Sequence, residues 1–198
     1  MRNILLLAIT TSLSIGCAGI KIGPLDPKPK VKIENQDARL ALSIGAGVPD
    51  RFKIEPQGGV RKVRVKGWHE TLTRAFENGF AKAYTITPAE EEHDLMLVFV
   101  RADLRFLPSP GIVAEGPTPA KAELIYLVRV LDGDGGLVAA AAGEVTSKKT
   151  WTDPGQEIDV TMQVVKSMYK DIAFELVTKT SPESDEEEPA DESEPASE

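Results

Sequence analysis

An α+β fold is predicted, with a mainly antiparallel sheet of four to five strands and two amphipathic helices on one face. Three observations predict it. Strand-like and helix-like segments follow in the order strand, possible strand, helix, three strands, helix, and helices segregated from a sheet define this class. Two of the last three strands are joined by the glycine-rich turn Asp132-Gly133-Asp134-Gly135-Gly136, which reverses the chain. The final helix carries one unbroken apolar stripe along its length.

Each element has its own signature. Leu40, Leu42 and Ile44 alternate with Arg39, Ala41 and Ser43, giving a half-buried strand that stops at the turn from Gly45 to Pro49. Val60 to Val65 is a shorter, basic strand. From Trp68, residues Leu72, Ala75, Phe76, Gly79, Phe80 and Ala83 keep helical spacing until Pro88 forbids continuation, and this aromatic stripe is assigned to the core. Asp94 to Phe106 and Lys121 to Leu131 are rich in Leu, Val, Ile and aromatics, as covered strands are, and Leu137 to Thr150 follows the turn. Asp153 and Pro154 suit the cap and first turn of the last helix. Its stripe is Ile158, Met162, Val165, Tyr169, Ile172 and Leu176.

The flanks differ in composition. Residues 17–36 are predicted to be a Pro/Lys-rich tether, because Pro24, Pro27 and Pro29 interrupt any helix and no apolar period is sustained. Fully extended, such a tether reaches about 60 Å. Lys21, Lys28, Lys30 and Lys32 are assigned to a solvated linker in preference to contacts with anionic headgroups. Residues 180–198 form an acidic tail expected to be disordered, since it holds nine acidic residues, no basic ones and little apolar content. Residues 37–179 remain as a single domain expected to fold unaided. With the tail set aside, basic and acidic residues balance from Cys17 to Thr180, so the body lacks the basic footprint that nucleic acid demands.

Arg2, the apolar run from Ile4 to Leu13 and the small residues after it have the order of a secretory signal, assigned to residues 1–16. The run is too short to span a bilayer as a helix. Cys17 is the sole cysteine, so an internal disulfide is excluded. The run Leu13-Ser14-Ile15-Gly16-Cys17-Ala18 resembles the bacterial lipobox, in which a small residue precedes a cysteine that becomes lipidated; Ser14 stands where that family usually has leucine. The resemblance implies lipid attachment at Cys17. With the element order, the chain is similar in layout to small envelope lipoproteins: the YajG-like group, the lipopolysaccharide-assembly lipoproteins and auxiliary lipoproteins of lipid-transport systems. Such families imply noncatalytic roles in envelope assembly or transport.

Little in the sequence points to catalysis. The two histidines have no ligand spacing: His93 follows Glu90, Glu91 and Glu92 in what reads as a solvated acidic turn, and His69 stands beside Trp68 at a helix start. Asp132 and Asp134 begin a calcium-like loop that then fails, with Leu137 at the glycine position and Gly143 where a bidentate glutamate belongs. Phosphate-binding glycine loops and a Gly-x-Ser-x-Gly elbow are missing from the sequence. No catalytic residue, metal or cofactor is assigned. The segment from Phe106 to Pro119 is longer than a hairpin connection, and Phe106, Leu107, Ile112 and Val113 are its candidates for partner contact.

The sequence therefore predicts a lipoprotein anchored on the periplasmic side of the outer membrane through Cys17, with a binding or assembly role among envelope proteins and no nucleic-acid partner. The rival is a soluble periplasmic enzyme or metal-binding protein, released by ordinary signal cleavage and using His69, His93 and nearby carboxylates.

Overall fold

The computed structural model describes residues 19–55, 62–108, 120–151, 153 and 155–180, with side chains to Val177. The signal segment 1–16, Cys17, Ile112, Val113 and the tail after Thr180 lie outside the described residues. The class is α+β, with two helices and two mixed sheets. A three-stranded sheet has the order β1 (Ile20–Ile22), β4 (Val63–Lys66), β3 (Arg51–Ile54), β1 being parallel and β3 antiparallel to β4. A five-stranded sheet has the order β5 (Thr85–Thr87), β2 (Arg39–Ile44), β6 (Leu95–Pro108), β7 (Ala120–Asp132), β8 (Leu137–Thr146).

The expectation of a mainly antiparallel sheet is corrected here. β2 lies parallel to both β5 and β6, and only the β6–β7 and β7–β8 pairs of the larger sheet are antiparallel. The physical reason is the intervening helix α1 (Trp68–Phe80). It carries the chain back to the end from which β2 started, so β5 enters parallel to β2, and the connection from Pro88 to Asp94 returns the chain again before β6 does the same. Hairpin strands, by contrast, turn back at once: Asp132 Oδ1 accepts from the backbone N–H of Asp134 and Gly136, at 3.0 and 2.6 Å, and Gly135 takes a φ of 84°.

The core is built on aromatics. Trp68, Leu72, Phe76 and Phe80 of α1 are all buried, at the spacing predicted. The second helix, α2 (Gln156–Thr180), lies against β7 and β8 and meets α1. Tyr169 is completely buried between Phe80 and Phe99, edge to face at ring separations of 6.0 and 5.9 Å, and its hydroxyl donates to the Leu72 carbonyl at 2.7 Å. Such a bond satisfies the one polar atom the tyrosine brings inside. Burial pushes that phenol well above its ordinary range. At the start of α1 the Trp68 indole donates to the Ala102 carbonyl at 3.0 Å and meets Phe52 edge-on, tying β3, α1 and β6 together.

The described part of the expected tether is instead a strap on the body. Ile20 and Ile22 are buried and pair with β4 as β1, and Leu25 is buried as well. The chain then runs beside α1. The Leu25 N–H donates to Thr71 Oγ1 at 3.0 Å, the Asn78 amide donates to Asp26 Oδ1 at 2.6 Å and to the Pro27 carbonyl at 3.0 Å, and Pro29 abuts Gly79. At its far end the Gln36 N–H donates to the Ala83 carbonyl at 2.6 Å. The prolines that exclude a helix also suit this role. They hold the strap extended before it docks, and where no strand lies alongside they bring no N–H that would need a partner.

Because the strap carries core residues, a chain beginning at Asp37 is expected to lose about 5 kcal/mol or more from Ile20, Ile22 and Leu25 alone, most of a typical domain's stability. Chemical denaturation of the two chains measures this; equal midpoints would return the segment to the status of a tether. Gly67 tests the seating of the strap. It adopts a φ of 67°, and a Cβ there would lie 2.6 Å from Pro24 Cγ. Gly67→Ala is therefore expected to cost about 1–3 kcal/mol and to expose residues 19–36 to proteolysis.

Candidate functional site

A hollow of about 470 Å³ opens where α1 passes over the edge of the five-stranded sheet. Leu42 and Ile44 of β2 and Ile86 of β5 supply apolar wall, Phe76 of α1 closes another side, and Thr73 and Glu77 stand on the helix next to Pro88 and Ala89. β5 is only three residues long and ends at Pro88, so this edge of the sheet stops short. Thr87 lines the hollow, while its hydroxyl is buried with no hydrogen-bond partner among the described residues. The mainly apolar walls suit an apolar side chain or a small apolar group. The lining holds one carboxylate and no acid–base pair.

The residues singled out from the sequence do not converge on this hollow. Phe106 is 2% exposed, near the end of β6, with its ring 5.5 Å from that of Trp151, so it is core and not a partner contact. Apolar periodicity alone could not separate the last inward residue of a long strand from the first residue of a loop. Trp151, bridged to Ala120 through both backbone groups, closes that end of the sheet. Leu107 is half-buried at the strand end. The hollow was missed because a three-residue strand such as Thr85-Ile86-Thr87 is too short to register as a period.

Each histidine is bound to local backbone. His69 donates from Nε2 to the Val48 carbonyl at 2.6 Å, and its backbone N–H donates to Asp50 Oδ1 at 3.1 Å, so it fastens the start of α1. His93 donates from Nδ1 to the Glu91 carbonyl at 2.7 Å. Beside it the acidic run is anchored, not open: the Arg39 guanidinium bonds Glu92 at 3.0 Å and Asp94 at 3.3 Å, and holds both carboxyls below their usual range. Among the described residues no group of three His, Cys, Asp or Glu side chains could hold a metal ion, and no helix is long and apolar enough to cross a membrane.

Two shifted acids remain. Asp171 of α2 is raised by burial and accepts from the Tyr126 hydroxyl at 3.4 Å; burial, then the charge of Asp171, pushes that phenol up to about 12. Glu123 lies on the other face of β7, nearly buried, and burial followed by the neighbouring Glu144 raises its carboxyl. Arg105, its register partner on β6, offsets this in part. These shifts follow from packing, and neither acid faces the hollow.

No family model matches the sequence, and neither does any curated protein. Solved structures do. A Xanthomonas campestris protein of the DUF330 family superposes with a TM-score of 0.51 at 16% identity, over 80% of this chain and 95% of that one. The minor lipoprotein of Acinetobacter baumannii gives 0.46 at 13% identity, over 71% and 92%. The uncharacterized lipoprotein B of Nitrosomonas europaea gives 0.40 at 13%, over 78% and 90%. The first of these shows a shared fold.

Glu123 sets a pH dependence with a definite sign. Its carboxyl is raised in the folded state, so folding favours the proton; the stabilisation is present in acid and is lost as pH rises through the raised value. Glu123→Gln is expected to raise the melting temperature at neutral pH by a few degrees, and the gain over wild type should shrink as pH falls through the carboxylate range. Thermal scans from pH 4 to 8, an interval of about four units around that range, check it; a constant difference would mean that Glu123 carries no such linkage.

Proposed function

We propose that the chain is a bacterial lipoprotein, anchored by lipid on Cys17 to the periplasmic face of the outer membrane, with a noncatalytic binding or assembly role in the cell envelope. One observation carries the reading. Cys17 stands three residues before Ile20, which is already paired and packed in β1, so a lipid on that cysteine holds the folded body within about 10 Å of the surface. The resemblance of its surroundings to a lipobox supplies the chemistry, and two or more acyl chains make the attachment stable.

Binding is assigned to the hollow between β2, β5 and α1, whose mainly apolar walls receive an apolar side chain of an envelope protein. Leu107, at the end of β6, and Ile112 and Val113 of the segment that follows it in sequence remain contact candidates apart from the hollow.

Cys17→Ser is expected to abolish acyl-chain labelling and to move the protein from the membrane to soluble or unprocessed fractions. Metabolic labelling with a fatty acid and fractionation of both proteins provide the check. A variant that is processed normally and stays in the membrane would remove the anchor from Cys17. Sedimentation of wild type with the inner membrane would overturn the outer-membrane placement alone.

A further inference from the structure

The strap and the last turns of α2 share one surface. Along the strap Pro27 and Pro29 face the body while Lys28, Lys30 and Lys32 are exposed, so cations recur at every second residue on the outward side. Beside Lys30 and Lys32 a hollow of about 320 Å³ has an apolar floor of Val31, Ala173, Phe174 and Val177, and Lys170 stands on its rim. Phe174 is 69% exposed. Lys170 also borders a second, polar hollow that contains Lys148, Lys166 and Asp159. Among the described residues Lys28 pairs with Asp26 at 3.6 Å, whereas Lys30, Lys32 and Lys170 enter no ion pair.

We propose that this face, with Lys30, Lys32 and Lys170 around Phe174, rests on an anionic phospholipid bilayer. Charge and apolar surface together select the occupant. Anionic headgroups and acyl chains lie within one side-chain length of each other at a membrane surface, and long lysines reach the headgroups while the aromatic ring enters between them. Chain length selects it again. The proposal rests on attachment through Cys17, three residues before β1, which keeps the whole body close to the same bilayer. A body that is electrically balanced overall still presents a cationic face there.

The test separates this contact from the lipid. A chain of residues 17–198 with Cys17→Ser keeps every described residue and lacks acylation. It is expected to co-sediment with vesicles of mixed phosphatidylglycerol and phosphatidylcholine, to lose affinity as salt rises, and to ignore pure phosphatidylcholine. The combined change K30E, K32E and K170E is expected to weaken binding about 100-fold, and Phe174→Ser about tenfold, with unchanged circular dichroism. Arg129→Glu, on the face of β7 away from α2, should change binding less than about twofold. Equal binding to neutral vesicles, no binding to anionic ones, or indifference to the triple change overturns the proposal. If the full-length tail blocks binding that a chain ending at Thr180 regains, the acidic tail is the occupant and the proposal falls. If acyl labelling fails at Cys17 while vesicle binding stands, the anchor is refuted and this surface is not.

Discussion

The fold depends on covering α1 from two sides. Its aromatic stripe of Trp68, Leu72, Phe76 and Phe80 belongs to the core shared with the large sheet and α2, and the Tyr169 hydroxyl bonded to the Leu72 carbonyl joins the two helices. A second stripe, Thr71, Ala75 and Gly79, repeats every four residues and is also buried. At Thr71 and Gly79 the strap covers that stripe, with the Thr71 hydroxyl accepting from Leu25 and Gly79 leaving room for Pro29. A larger residue at Gly79 would meet Pro29 Cγ at 3.0 Å. The small stripe and the proline strap are therefore two halves of one packing solution.

Much of this was legible because long elements carry period. The strand at Arg39–Ile44, the helix from Trp68, the three long strands and the stripe of α2 all stand where alternation or helical spacing put them. Of that stripe, Val165, Tyr169, Ile172 and Leu176 are buried, while Ile158 and Met162 near the helix start are half-covered. Short elements left no such trace. Arg51–Ile54 and Thr85–Thr87 carry no assignment from the sequence, and Ile20–Ile22 falls in the segment read as tether, since three or four residues hold at most two repeats of a strand. Strand direction was illegible for another reason: periodicity fixes which face a residue occupies, never which way the chain runs.

The strap was misread through composition. Its alternation of buried and exposed residues is that of an extended segment on a surface, but lysine and proline dominate it, and both are also linker residues. Its inward residues are Ile20, Ile22, Leu25, Pro27 and Pro29, of which hydropathy does not count the prolines as apolar, so the alternation breaks off in the sequence after Leu25. The hollow near Thr87 has the same history. It is made by three segments distant in sequence, and the unsatisfied Thr87 hydroxyl comes from a residue type that is ordinary in any strand.

Moving residues 19–36 from tether to body changes what an anchor at Cys17 means. A flexible tether of some 60 Å would leave the domain free to tumble and to reach partners away from the membrane. A strap whose first residues are a paired strand removes that freedom, because the attachment point is then fixed to β1 and through β4 and Trp68 to the core. A body so attached would stay close to its membrane, and a binding partner would meet it without the ordering of a long linker. Of the two charge features recognised in the sequence, the row of Lys28, Lys30 and Lys32 then lies in the part that packs on the body, and exposed charges held there act at contact range, within about a Debye length of 8 Å.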